Sequence, residues 1–97
     1  MSYHIIYGEE VIREDFPRLA EPIRKRIVKE VGKKLSATPD QFGRLLRGLL
    51  KGYRRLRVGD YRVIYRVDSK NASALIVMVM HRRTKYKGVK KRISKSD

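Results

Sequence analysis

The string YRRLRVGDYRVIYRV (53–67) holds five arginines: Arg54, Arg55, Arg57, Arg62 and Arg66. The apolar run SALIVMVM (73–80) then ends in His81, Arg82 and Arg83, with Lys85 and Tyr86 close behind and Lys51 just upstream of the arginine string. A guanidinium stays protonated at any working pH and donates from a rigid fork, so it stabilises negative charge better than it moves protons. Brought together, such residues could bind a phosphodiester, neutralise charge developing on it, and stack a base on the tyrosine. His81 is the one group here whose ordinary pKa, near ~6.5, suits proton transfer. A histidine ending a strand can equally make a structural hydrogen bond, and Tyr86 can equally be packing.

Other chemistries lack their residues. There is no cysteine, and the only histidines are His4 and His81, too few and too scattered for a metal site, so no metal and no cofactor is expected. No phosphate-binding glycine loop, dinucleotide fingerprint or serine elbow occurs. The second half offers three carboxylates, Asp60, Asp68 and Asp97, and Asp60 reads as a turn residue. Residues 1–40 carry 8 Lys/Arg against 7 Asp/Glu, whereas residues 41–97 carry 17 against 3. Segregating the charge this way exceeds what solubility requires and makes one half a cationic surface, attractive to nucleic acid, an anionic membrane or an acidic protein. No apolar run approaches the ~18 residues of a membrane span, and the start of the chain lacks the pattern of a signal peptide. With no cysteine for disulfides, a reducing cytoplasm is the expected location, with no membrane partner.

The elements that must position these residues follow from the patterning. The 97 residues suffice for one domain (1–97), with 87–97 as a basic tail or short helix, and 41% hydrophobic content argues against disorder. YHIIY (3–7) reads as a strand. A first helix from Glu9 places Val11, Ile12, Phe16 and Leu19 on one face and stops or bends at Pro17. A second, opened by Pro22, carries Ile23, Ile27, Val31 and Leu35 at four-residue intervals, with Val28 filling the stripe. QFGRLLRGLLKG (41–52) is ambiguous between a helical turn and an irregular connection, given its three glycines. Gly59-Asp60 suits a two-residue type II′ turn, pairing Val58 with Tyr61, Arg57 with Arg62, Leu56 with Val63, Arg55 with Ile64 and Tyr53 with Arg66. Alternation then puts Leu56, Val58, Tyr61, Val63, Tyr65 and Val67 on one face. Arg55, Arg57, Arg62 and Arg66 share the other with Tyr53 and Ile64, and Arg54 falls on the apolar side. Residues 73–80 form a central strand. The order β-α-α-β-β-β predicts a two-layer α+β fold: a twisted, mainly antiparallel sheet, helices on one face, and an arginine-rich opposite face.

LLKGYRRLRVGDYRVIYRVD followed by IVMVMHRRTKY resembles the RelE/ParE superfamily of bacterial and archaeal toxins, and the match spans most of the chain. The resemblance implies the toxin of a type II toxin–antitoxin pair, with a cognate antitoxin as partner. RelE-type members enter the ribosomal A site and cut mRNA there. ParE-type members poison DNA gyrase instead. By position, Arg55, Arg62 and Arg82 match the basic catalytic residues of the RelE type, and Tyr86 stands one residue short of their C-terminal tyrosine. A further lysine of that type has no match: Tyr53 stands about there, with Lys51 two residues away. The histidine-plus-glutamate pattern of a sister branch is absent, so the general base is unassigned. The resulting expectation is a ribosome-dependent endoribonuclease, with ribosome and mRNA as partners, working by 2′-OH attack on the adjacent phosphate. Arg55 and Arg62 would hold the phosphate and Arg82 the developing charge. Tyr86 would stack a base or orient the nucleophile, and His81 would be a proton-transfer candidate. Lys51, Arg57, Arg66, Arg83 and Lys85 would contact the RNA backbone. The alternatives are a ParE-type gyrase inhibitor and a non-catalytic RNA-binding module.

Overall fold

The computed structural model describes residues 2–84 and 86–96. Strand β1 (His4–Tyr7) leads into a helical segment wound as a π-helix over Val11–Asp15 and as a 3-10 turn at Phe16–Arg18. Helix α1 (Glu21–Leu35) follows, with Pro22 in its first turn, where a missing N–H costs nothing. A two-residue strand β2 (Arg44–Leu45) and a 3-10 turn (Gly48–Leu50) precede β3 (Arg54–Val58), β4 (Tyr61–Asp68) and β5 (Ser73–His81). Helix α2 (Lys87–Ser96) closes the chain. The five strands form one sheet in the order β1-β5-β4-β3-β2. The β1–β5 pair is parallel and the others antiparallel. The fold is α+β as expected, with β2 as an additional edge strand.

Two apolar clusters flank the sheet. Ile27, Val31 and Leu35 of α1 pack with Val11 on Leu56, Val58, Val63, Tyr65, Ala74, Ile76 and Val79. On the opposite face, Val89 and Ile93 of α2 pack with Leu50, Tyr53, Ile64, Val77 and Met80. The basic C-terminal segment is therefore a helix seated on the arginine-bearing side of the sheet. Its fully buried Val89 is the anchor. Between Ile64↔Met78 and Tyr65↔Ile76 the β4–β5 register slips, leaving Val77 as the extra residue of a bulge. Val77 and Met78 consequently both serve the α2 side, and the strand supplies apolar side chains to two cores.

Two positions depart from the helical stripes. Ile12 is 56% exposed, and the buried pair of this π-wound segment is Val11 and Asp15, four positions apart on one face. Val28 points to solvent at 39% exposure, so α1 buries a narrower stripe of Ile27, Val31 and Leu35. The hairpin has the expected register at every pair from Arg55↔Ile64 to Val58↔Tyr61. Gly59 has φ +59, and no positive φ occurs at Asp60, as a type II′ turn requires. Among the described residues, no helix is long and apolar enough to cross a membrane.

Candidate active site

Alternation on β3 and β4 delivers Arg55, Arg57, Arg62 and Arg66 to the α2 side of the sheet, because the alternate positions Leu56, Val58, Val63 and Tyr65 are consumed by the α1 core. Arg57 and Arg62 are direct cross-strand partners, a like-charge pairing that costs a sheet ~0.2–1 kcal/mol. Helix α2 covers the β5 side of this face and leaves the β3–β4 side open.

Tyr86 bridges the two regions. Its carbonyl accepts the first helical bond of α2, from the Lys90 N–H at 3.0 Å, so the helix end fixes where the residue sits. Its hydroxyl accepts a hydrogen bond from Arg55 Nη1 at 3.0 Å. The Arg62 guanidinium stands 5.8 Å from its ring centroid, within cation–π range. Arg55 Nε and Arg62 Nε are both buried without a partner among the described residues. An N–H donor withheld from water and left unmatched is costly unless a ligand supplies the acceptor. Two guanidinium groups with spare donors thus meet one phenol at the border of an open face, an arrangement with the chemistry to accept an oxyanion beside a flat ring.

The remaining candidates distribute around this centre. Arg82 follows the end of β5, where its N–H donates to the Asp60 carbonyl at 2.8 Å. Its Nε lies 3.9 Å from Asp60 Oδ1, with both side chains more than half exposed. Exposed pairs of this kind contribute ~0–1 kcal/mol, so Asp60 holds the Arg82 side chain only weakly. Arg66 lies farther along the strand, 5.7 Å above the ring of buried Tyr53. Lys51, Arg57 and Arg83 are exposed, and Lys85 lies outside the described residues. His81 is not brought to the Arg55–Arg62–Tyr86 cluster. It pairs with Tyr61, which belongs to the α1 side, and the two rings meet edge to face at 5.2 Å. Its Nδ1 accepts the Arg83 N–H at 3.2 Å.

The structure adds residues that sequence reasoning passed over. Arg44 pairs directly with Arg55, which puts it on the same face. Its strand is two residues long within a glycine-rich segment, and so left no periodic signal. Asp15 is buried, and its carboxylate accepts the Val79 N–H at 2.8 Å and Arg92 Nη1 at 2.6 Å. Arg92 also reaches Glu10 at 3.3 Å. Burial opposes the Arg92 charge, but the hydrogen bond and charge of Asp15, with Glu10 and Glu14 nearby, carry its pKa above the ordinary arginine value. Within the run KKRISK nothing distinguishes this arginine from its solvated neighbours.

Against known proteins, residues 9–86 match the model of the ParE toxin of the type II toxin–antitoxin system parDE. Toxin RelE of Mycobacterium tuberculosis is 33% identical over 85 residues, which is 88% of this chain and 87% of that protein. A chain in the crystal structure of the toxin–antitoxin complex RelBE2 from the same organism aligns with TM-score 0.79 and 30% identity, over 87% of this chain and 95% of that one. A chain of the archaeal RelE–RelB complex from Pyrococcus horikoshii aligns with TM-score 0.69 and 26% identity, over 88% and 100% respectively.

Proposed function

This chain belongs to the RelE/ParE toxins of type II toxin–antitoxin systems, and from that premise we propose that it is a ribosome-dependent mRNA endoribonuclease. The observation that carries the reading is Tyr86 held between Arg55 and Arg62 on the open arginine face, with unmatched guanidinium donors on both sides of it. In the proposed reaction the ribose 2′-hydroxyl gives its proton to solvent, its oxygen attacks the adjacent phosphorus, and the bond to the 5′-oxygen breaks. The products are a 2′,3′-cyclic phosphate and a 5′-hydroxyl, the latter taking up a proton. Arg55 and Arg62 hold the non-bridging oxygens as charge accumulates on them, and Arg82 swings from Asp60 to the leaving oxygen. The Tyr86 ring stacks a base of the message. Among the described residues, no carboxylate or imidazole joins the cluster to act as base. The chain therefore depends on in-line orientation of the RNA within the ribosome, and well-oriented reactants can supply several kcal/mol of the barrier.

The solved complexes of its relatives with antitoxins support a cognate antitoxin for this chain as well. An acidic or amphipathic segment is the chemistry that would cover a +15 protein. The match to a ParE family model favours a second reading, gyrase inhibition, in which the same face contacts protein. One experiment separates the two. Ribosomes programmed with an all-ribose message should yield a cut in the A-site codon, and a message with a single 2′-deoxy sugar at that position should stay whole. Equal cutting of both sinks the 2′-OH mechanism. Intact messages together with arrested gyrase supercoiling establish the second reading.

A further inference from the structure

Strand β2 covers only Arg54 and Arg55 of β3, so no strand among the described residues pairs with the outer edge of β3 from Leu56 onward. Beside this edge lies a groove of about 410 Å³ lined by Gly43, Arg44, Arg55, Leu56 and Arg57. Three of its five lining residues are arginines and none is acidic. Arg44 and Arg57 are both exposed, and Arg44 stands directly across from Arg55. That makes a second like-charge cross-strand pair in the same sheet, on the other side of β3 from Arg57↔Arg62. Gly43, one of the lining residues, has φ +73, and a Cβ there would lie 2.7 Å from the Arg55 carbonyl oxygen and 2.9 Å from the Tyr65 hydroxyl, so glycine permits the close approach of this segment to β3.

Arg55 is common to this groove and to the Tyr86 cluster, so a strand of RNA with one phosphate at Arg55 and Arg62 has its next phosphate within reach of the groove. We propose that the groove is a second phosphate subsite for the message, in which Arg44 and Arg57 grip the backbone phosphate flanking the scissile one. Arg44 is thereby a substrate-binding residue that sets which phosphodiester lies against Tyr86. This assignment rests on the reading of the chain as a ribonuclease.

The test is a cycle between protein and RNA. Binding is measured to ribosomes carrying a message made uncleavable by a 2′-deoxy sugar at the cut site, with the phosphates on either side replaced one at a time by neutral methylphosphonate. At one of the two flanking positions the replacement should weaken wild-type binding about tenfold and leave Arg44→Ala binding almost unaffected. Arg44→Lys should recover part of the loss. With the cleavable message, Arg44→Ala should raise KM more than it lowers kcat, and its binding should lose about one unit of salt slope. A circular-dichroism melt matching wild type shows that the variant is folded. If the wild type and Arg44→Ala respond alike to methylphosphonate at both positions while cleavage proceeds, the subsite is wrong and the nuclease reading stands. If the wild type neither binds nor cuts the message, both fall.

Discussion

At the scale of single residues, the site is economical: one phenol, two guanidinium groups with unmatched donors, and a third guanidinium on a weak surface tether. Arg62→Ala should lower kcat by 10²–10³, since a preorganised group opposite developing charge typically contributes ~2.7–4 kcal/mol. Its melting curve should hardly move, because Arg62 is a partly exposed member of a like-charge pair. Tyr86→Phe keeps the ring but removes the acceptor from Arg55, so it should cost less than Tyr86→Ala while still slowing cleavage. His81→Gln should cut normally, because His81 packs against Tyr61 on the far side of the sheet. Rates from ribosome-programmed cleavage decide all of these. A His81→Gln rate a hundredfold down would return the imidazole to the mechanism.

At the scale of elements, sequence reasoning succeeded where one local rule dominates. The Gly59-Asp60 turn sets a register, and alternation then assigns every side chain of β3 and β4 to a face, Arg54 included. It failed where winding or brevity breaks the period. Over Val11–Asp15 the face that is buried is that of Val11 and Asp15, leaving Ile12 outward, and β2 was too short to show alternation. The gathering of Arg55, Arg62 and Tyr86 was only half legible, since nothing in the sequence reveals that the start of α2 holds Tyr86, the residue before it, beside the arginines. Besides its pairing with β3, the β2 region is braced by a buried phenol. The Tyr65 hydroxyl lies 2.7 Å from the Pro39 carbonyl and 2.6 Å from that of Phe42, its single proton serving both, and it holds the loop that leads into β2. Burial raises its pKa to about 12, with Arg54 lowering and Asp40 raising it in lesser measure. Because the folded value exceeds the ~10 of an unfolded tyrosine, this stabilisation is complete below pH ~10 and disappears as pH climbs through about 12. Tyr65→Phe should thus cost roughly 1–3 kcal/mol at neutral pH by stranding carbonyls. It should also flatten the alkaline fall in stability, though not abolish it, since burial likewise raises Tyr7 to about 12. Urea titrations at pH 7, 10 and 11.5 read both effects. Identical alkaline slopes for wild type and variant would show that the hydroxyl is not the titrating group.

At the scale of the whole molecule, the decisive connection runs from one end of the chain to the other. β1 pairs with β5 only as far as Tyr7↔Ile76, so the edge of β5 beyond Ile76 needs another partner. Asp15 supplies it by accepting the Val79 N–H, and the same oxygen holds Arg92 of α2. The side chains of Asp15 and Arg92 are 3% and 10% exposed, and a buried charge deprived of its partner is strongly destabilising. Asp15→Asn retains an acceptor for Val79 but removes the charge facing Arg92. It should destabilise the protein by roughly 1.5–3 kcal/mol, the contribution of a hydrogen bond to a charged group. The consequence reaches the site because Tyr86 is the first carbonyl of the helix that Arg92 anchors. With α2 loosened, the Tyr86 hydroxyl is no longer presented to Arg55, so its removal has less left to take away. Cleavage by Asp15→Asn should therefore be slower than wild type at temperatures where the variant remains folded. Adding Tyr86→Phe to Asp15→Asn should cost clearly less than Tyr86→Phe costs alone. Strictly additive losses would mean that the Asp15–Arg92 pair stabilises the fold without positioning the tyrosine.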